Sequence, residues 1–202
     1  MFKNVLIALV VLVGGLCAYI ATRPAEFRVE RSATIAAPAS IVFTYVSDFH
    51  RWDVWSPWNK LDPAMKKTFE GAPAGKGAIY AWAGNDQVGE GRMTLEEVKQ
   101  DERVDIKLEF LEPWAATHRT EFTLRPVGDT VTLTWAMSGK NDFLGKAMSL
   151  FMSMDAMIGK DFEAGLAELK KAAEAEAKKA AEAKAAAEAA PHEGLPTPEV
   201  AN

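Results

Sequence analysis

The sequence has little of the chemistry on which catalytic and metal sites are most often built. Its 202 residues include one cysteine, Cys17, and three histidines, His50, His118 and His192. A single cysteine excludes an intramolecular disulfide and a cysteine-built zinc site, and no two histidines have the spacing of a metal-ligand pair. We therefore expect neither a metal ion nor a cofactor.

Basic charge is scarce as well. The chain has 23 lysines and arginines against 28 aspartates and glutamates, for a formal net charge of -5 at pH 7. Proteins that hold nucleic acids present a clustered basic face, and this sequence contains no such cluster. The glycine-rich strings GAPAGKG and GEGRM lack the strand-to-helix context of a phosphate loop and are typical of hairpin turns. We expect no nucleic-acid partner.

The longest uncharged segment lies at the N-terminus. Residues 4–22, NVLIALVVLVGGLCAYIAT, contain no charged residue and no proline, and a helix of this length matches a hydrocarbon core of about 30 Å. A membrane anchor and a cleaved signal peptide both contain such a segment. Because the segment is longer than most signal cores and AYIATRPA is a poor cleavage site, we favour an anchor within residues 1–24. We expect a single-pass protein whose globular part is extracytoplasmic, in the periplasm, although the charges on the two sides nearly balance.

The C-terminal residues 171–202 differ in composition from the rest of the chain. Alanine fills most positions up to residue 190, and Lys170, Glu174, Lys178 and Glu182 stand four apart in alternating sign. This pattern is typical of a solvated helix that local ion pairs support. Three prolines and a glycine follow, so we predict a helical extension without an apolar face and then a disordered tail. A binding role for the tail is the alternative.

Residues 25–170 have the pattern of one α+β domain. The segment FRVERSATI alternates apolar and polar residues, and six further short segments, from KKTFEG to DTVTLTWAMSG, are separated by turn residues. The later segments have one apolar and one polar face, which is typical of an antiparallel sheet covered on one side only. The sequence therefore predicts a curved seven-stranded antiparallel sheet, with a short helix that begins at Pro38 after the first strand.

A long amphipathic helix is predicted to cover the sheet. It begins after Asp142, a suitable N-cap, and apolar residues then recur every three or four positions as far as Leu169. These residues are Phe143, Ala147, Leu150, Phe151, Met154, Ile158, Phe162, Leu166 and Leu169. A sheet that curls around such a helix rarely fills its whole interior with side chains, so we expect an internal cavity.

Three of the six tryptophans, Trp52, Trp55 and Trp58, lie in the string RWDVWSPW between the first short helix and the second strand. Large rings at the end of a curved sheet either seal the core or line a pocket. We predict that they line a pocket for an apolar ligand, and that alanine at both Trp55 and Trp58 weakens binding more than stability. Packing in a solid core is the alternative. The other inward-facing candidates are Trp82, Met93, Phe110, Trp114, His118, Trp135, Met137, Met154 and Ile158.

The string FRVERSATIAAPASIVFTYVSDFHRWDVWSPW, with the later FEG, GAIYAWAGN, GEGRMTL, LEFLEP and TWAMSG, resembles a known family. Residues 25–170 are similar to the polyketide cyclase/dehydrase branch of the START-like, or SRPBCC, superfamily. The resemblance implies a helix-grip (START/Bet v 1-like) fold, in which a seven-stranded sheet wraps a long helix and encloses a cavity for hydrophobic ligands. Members of this family include ring-forming enzymes, lipid carriers, hormone receptors and many proteins of unknown role.

Three functions remain open. The first is a membrane-tethered, non-catalytic module that binds a lipid or another small hydrophobic molecule, and we favour it because the catalytic inventory is thin. The second is a cyclase or dehydratase, for which His118, the one histidine on a strand, is the weak candidate for acid–base catalysis, with a nearby aspartate as the alternative. The third is a scaffold of the cell envelope whose partner protein binds the tryptophans or the charged tail.

Overall fold

The structure is a computed structural model that describes residues 2–189, and the predicted tail with His192 lies outside these residues. Seven strands form one antiparallel sheet in the order β1-β7-β6-β5-β4-β3-β2, which confirms the predicted sheet. The strands are β1 (Glu26–Ile35), β2 (Lys66–Gly71), β3 (Ala78–Ala83), β4 (Glu90–Lys99), β5 (Arg103–Glu112), β6 (Ala116–Val127) and β7 (Thr130–Lys140). The helices are α1 (Phe2–Thr22), α2 (Ala39–Ser47), α3 (Phe143–Met148) and α4 (Met154–Ala189), with two 3₁₀ turns at Phe49–Val54 and Pro57–Lys60.

The core lies between one face of the sheet and α4, with α2 and the 3₁₀ turns at its side. Phe122, Leu133 and Leu169 are 0% exposed at its centre. The alternation of apolar and polar residues places these strand residues on the covered face. Burial of that face removes most of its apolar surface from water, which is the main favourable term in folding.

The register of the strands defines two ends of the sheet. At one end the pairs Glu26↔Lys140 and Glu90↔Glu112 bring together the start of β1, the end of β7 and the β5–β6 turn. Because α1 precedes β1 by three residues, this end is the α1 end of the sheet. The β3–β4 hairpin and the start of β2 lie at the same end, since Ala83 pairs with both Glu90 and Lys66.

The predicted long helix is not continuous, and this prediction was wrong for residues 149–153. Asp142 caps α3 as expected, because its Oδ1 accepts from the backbone N–H of Gly145 at 2.7 Å. The helix then ends at Ser149, and α4 begins after Ser153, whose hydroxyl accepts from the N–H of Ala156 at 3.1 Å. Serine side chains compete with helical hydrogen bonding and favour such caps. Phe151, placed by its spacing on the buried face, is 92% exposed as a result.

An arginine holds the first turns of α4 on the sheet. Arg31 lies on the covered face of β1, and its guanidinium contacts Asp155 at 2.8 Å and Glu163 at 2.7 Å. Gly159 makes room for it, since a Cβ there would lie 2.3 Å from Arg31 Nη2. The two carboxylates raise the pKa of Arg31 above its usual range.

The alanine-rich extension packs further than its composition indicates. α4 continues without interruption from the core to Ala189, and Ala173 is 0% exposed. Glu176 accepts from the Tyr45 hydroxyl at 2.8 Å and from Arg51 at 3.0 Å. The prediction of a solvated helix without an apolar face was therefore wrong for the first two turns beyond Leu169, where alanines are small enough to lie against α2.

α1 is apolar along its whole length, with a mean hydropathy of 2.6 over its most apolar 18 residues. This makes it apolar enough to be a membrane span or a signal sequence. Nearly all of its side chains are exposed, so the rest of the domain does not cover it. Its C-terminal end contacts the domain through Lys146 of α3, whose Nζ donates to the Ala21 carbonyl at 3.2 Å.

Candidate functional site

A cavity of about 390 Å³ lies between the sheet and α4, in the half of the domain nearer the α1 end. Strands β3 to β7 form one wall, the 3₁₀ turns form the second, and the first turns of α4 form the third. Seven of the predicted ligand-binding residues line it together, namely Trp52, Trp58, Trp82, Met93, Phe110, Trp135 and Ile158. Met137, from the same inward-facing set, is also in the wall.

Two of the predicted site residues lie in or beside the core instead. Trp55 is 1% exposed, and its indole N–H donates to the Tyr45 carbonyl at 3.0 Å. Met154, in the first turn of α4, packs against the core one helical turn before Ile158 and is not in the cavity wall. The structure therefore does not bring Trp55 or Met154 to the cavity.

Trp114 does not face inward. It lies in the β5–β6 turn at the α1 end, beyond the last residue of β5, and its side chain is 69% exposed. Strand alternation stops at Glu112, and the prediction that Trp114 faces inward was wrong.

His118 faces inward on β6 as predicted, but it is not in the cavity wall. Its ring is edge-on to Phe27 at 5.1 Å and to Phe110 at 5.9 Å between ring centroids. It lies over Gly139 of β7, where a Cβ would be 2.2 Å from Nδ1. Burial lowers the pKa of His118. Residue His118 is also at the border of a surface depression lined by charged residues such as Glu96 and Lys107, which is a poor fit for an apolar molecule.

The lowered pKa of His118 predicts a dependence of stability on pH. The folded state favours the neutral ring, whereas the unfolded chain takes up a proton near pH 6.5. The free energy of unfolding should therefore fall as pH drops from 6.5 to 5.5, with a slope of at most about 1.4 kcal/mol per pH unit. Thermal unfolding of the full chain in detergent micelles at the two pH values measures this. His118→Phe should remove this part of the dependence, and an unchanged dependence would contradict the prediction.

Several wall residues were not in the predicted ligand-binding set. Tyr80, Leu108 and Thr120 line the cavity; strand parity places Leu108 and Thr120 on the inward face, and Tyr80, two residues from Trp82, could have been found in the same way. Leu61, Met65, Val88, Met157 and Asp161 also line it. They come from turns and from the helix, where no alternation marks the inward side.

The aromatic part of the wall is fixed by local geometry. The Trp82 indole N–H donates to the Val88 carbonyl across the β3–β4 hairpin at 3.0 Å. Its ring then lies over Gly91 of β4, where a Cβ would come within 2.5 Å of the ring. Because any other residue at 91 would displace the ring, glycine determines the shape of the wall here.

The wall offers few polar groups. Ser56 and Thr120 are its buried hydroxyl residues, at 9% and 3% exposure. The acidic groups within the described part of the wall are Asp161 and the Tyr80 phenol, and burial, with a smaller contribution from Asp53, raises the pKa of Tyr80 to about 12. A neutral phenol and two hydroxyls can orient a ligand by hydrogen bonds, while the remaining surface suits an apolar body.

Comparison with solved structures gives the same fold in proteins of low sequence identity. A solution structure from Thermobifida fusca has 24% identity and a TM-score of 0.55, and the match covers 71% of this chain and 90% of that one. The Aha1 dimer of Colwellia psychrerythraea, at 14% identity and a TM-score of 0.54, is matched over 73% and 96%. Norcoclaurine synthase from Thalictrum flavum, also at 14% and 0.54, is matched over 74% and 94%. These likenesses establish the helix-grip fold.

No curated protein matches the sequence. A family model does match, over residues 26–174, and its description is polyketide cyclase / dehydrase and lipid transport. The matched residues include all seven strands, the cavity wall and most of the packed part of α4. The chain therefore belongs to the polyketide cyclase/dehydrase and lipid transport family.

Proposed function

We propose that the protein is a membrane-tethered module that binds a lipid or another small hydrophobic molecule in the cavity between the sheet and α4. The observation that carries the proposal is the cavity itself, about 390 Å³ in volume and walled mainly by aromatic and aliphatic side chains. Sites for small molecules have volumes of roughly 300 to 1,000 Å³ and this kind of wall. α1 serves as the anchor, with the domain on the extracytoplasmic side as the sequence predicts.

The arrangement favours binding over catalysis. An acid–base reaction needs a titrating group within hydrogen-bond reach of the bound molecule. His118 stands outside the cavity wall, and among the described residues the titratable groups in the wall are the Asp161 carboxyl and the Tyr80 phenol, whose raised pKa keeps it neutral. Thr120 and Ser56 instead provide neutral hydroxyls at buried positions of the wall. A ligand with a long apolar body and one polar group would fit this distribution.

The test is to identify what the protein retains. The full chain is purified from its host into nanodiscs of one synthetic lipid, and an organic extract is analysed by mass spectrometry. We expect a discrete host compound at close to one per chain. The matched control is Ile158→Trp, in which the larger ring fills the cavity, so this variant should retain little of the host compound. Equal amounts in the two preparations, or a host extract without any such compound, would contradict the proposal.

A further inference from the structure

The exposed apolar side chains outside α1 are concentrated at the α1 end of the domain. Twelve large apolar residues beyond α1 are exposed in the described part of the chain, and nine of them lie at this end, eight in turns or short helices and helix ends and one, Leu111, near the end of β5. The most exposed are Phe151 at 92%, Trp114 at 69%, Leu144 at 56% and Met152 at 55%. An apolar surface of this kind indicates an interaction site.

This surface is fixed close to the end of the apolar helix. Only residues 23–25 separate α1 from β1, and three residues span at most about 10 Å. The linker is tied down, because the Asn141 N–H donates to the Ala25 carbonyl at 2.7 Å and Lys146 donates to the Ala21 carbonyl at 3.2 Å. Wherever α1 leaves the hydrocarbon, the exposed apolar residues of α3 and its following turn are therefore close by.

The same region has the residue types that suit the boundary between hydrocarbon and headgroups. The Arg23 guanidinium lies 6.0 Å from the centroid of the Tyr19 ring at the end of α1, and Lys146 of α3 contacts the Ala21 carbonyl in the same turn. Aromatic rings and basic side chains are enriched at this boundary, since the rings are amphipathic and the cations meet lipid phosphates. Trp114 adds a further ring at the β5–β6 turn.

We propose that the α1 end of the domain rests on the bilayer, with Phe151, Leu144 and Trp114 inserted at the headgroup boundary, so that the cavity opens toward the lipid. This rests on the part of the proposed function that makes α1 a membrane anchor. Met157 and Leu61 belong both to the cavity wall and to the exposed apolar surface, because both line the cavity and their side chains are exposed, at 47% and 43%. A hydrophobic molecule would then pass between bilayer and cavity without crossing water.

The experiment places a fluorescent reporter at single cysteines in the full chain, with Cys17→Ser as background, reconstituted in nanodiscs. Phe151→Cys reports on the proposed contact. Val127→Cys is the matched control, since Val127 is also well exposed, at 63%, but lies in the β6–β7 hairpin at the opposite end of the sheet. Quencher groups on lipid acyl chains and aqueous iodide are compared at both sites.

At residue 151 we expect loss of most emission with the lipid quencher, shielding from iodide, and a depth of about 5 to 10 Å below the headgroups. Residue 127 should respond to iodide alone. An equal response of the two reporters would overturn the proposal. Shielding of residue 151 from iodide without lipid quenching would also overturn it, because this result would indicate that a second copy of the chain covers the surface. A third reporter, Leu9→Cys in α1, separates the causes of failure. If the reporter at residue 9 is lipid-quenched while the reporter at residue 151 is not, only this inference fails. If the reporter at residue 9 is not lipid-quenched either, the anchor fails as well.

Discussion

Replacing Trp55 with alanine should lower the free energy of unfolding by about 3 to 5 kcal/mol, the usual cost of removing a large aromatic ring from a core. Trp55 is 1% exposed, and its ring is edge-on to Trp135 at 5.4 Å and to Phe122 at 6.0 Å. The substitution also removes the donor to the Tyr45 carbonyl, and an unsatisfied buried acceptor adds to the loss. Denaturation of the full chain in micelles, followed by circular dichroism, measures the change.

Trp114→Ala is the matched control, because it deletes the same ring from a position that is 69% exposed. Exposed substitutions of this kind change stability by about 0.5 kcal/mol or less. Trp55→Phe is intermediate, since it keeps an apolar ring but not the hydrogen bond. A loss below about 1 kcal/mol for Trp55→Ala, comparable with the control, would show that this ring does not support the core.

This expectation reverses the one drawn from the sequence for Trp55, and the reason is local. Trp52, Trp55 and Trp58 are spaced by three, which in one continuous 3₁₀ helix would align all three rings on one side. The first 3₁₀ turn instead ends at Trp55, and Pro57 begins a second. Ser56 between them has an extended backbone, so Trp58 is not aligned with Trp55, and Trp58 lines the cavity while Trp55 lies in the core. The spacing alone could not distinguish these outcomes.

The strands were the most predictable part of the molecule. A period of two is a strong signal when one face of a sheet is buried, because a shift by one residue would expose every apolar side chain. It fixed the inward side for residues such as Trp82, Phe110 and Trp135, which do line the cavity. The helical cover was less predictable, because the apolar spacing runs unbroken through residues 149–153 and only the hydrogen bonds of Ser149 and Ser153 mark the break.

Replacing Ile158 with tryptophan should abolish most ligand binding while leaving the fold intact. Ile158 lines the cavity from α4, and the facing wall includes Trp135 and Met137. A larger ring that turns into open space fills volume that the ligand would occupy, and it meets less resistance than a ring forced into a packed core. We expect affinity for an apolar molecule to fall at least about tenfold, which corresponds to 1.4 kcal/mol.

The measurement uses a photoreactive fatty acid and the full chain in nanodiscs, with the labelled peptides located by mass spectrometry. Wild-type protein should be labelled on cavity peptides, and Ile158→Trp at least about tenfold less. Met154→Trp is the matched control, because Met154 lies one turn earlier on the same helix and outside the cavity wall, so its cavity labelling should equal that of the wild type. Labelling of α1 from the surrounding lipid provides an internal standard in all three proteins.

If cavity labelling falls equally in both variants, the loss comes from a disturbed helix and not from a filled cavity. If cavity labelling falls in neither variant, the fatty acid binds elsewhere. Only a loss confined to Ile158→Trp places the ligand between the sheet and α4.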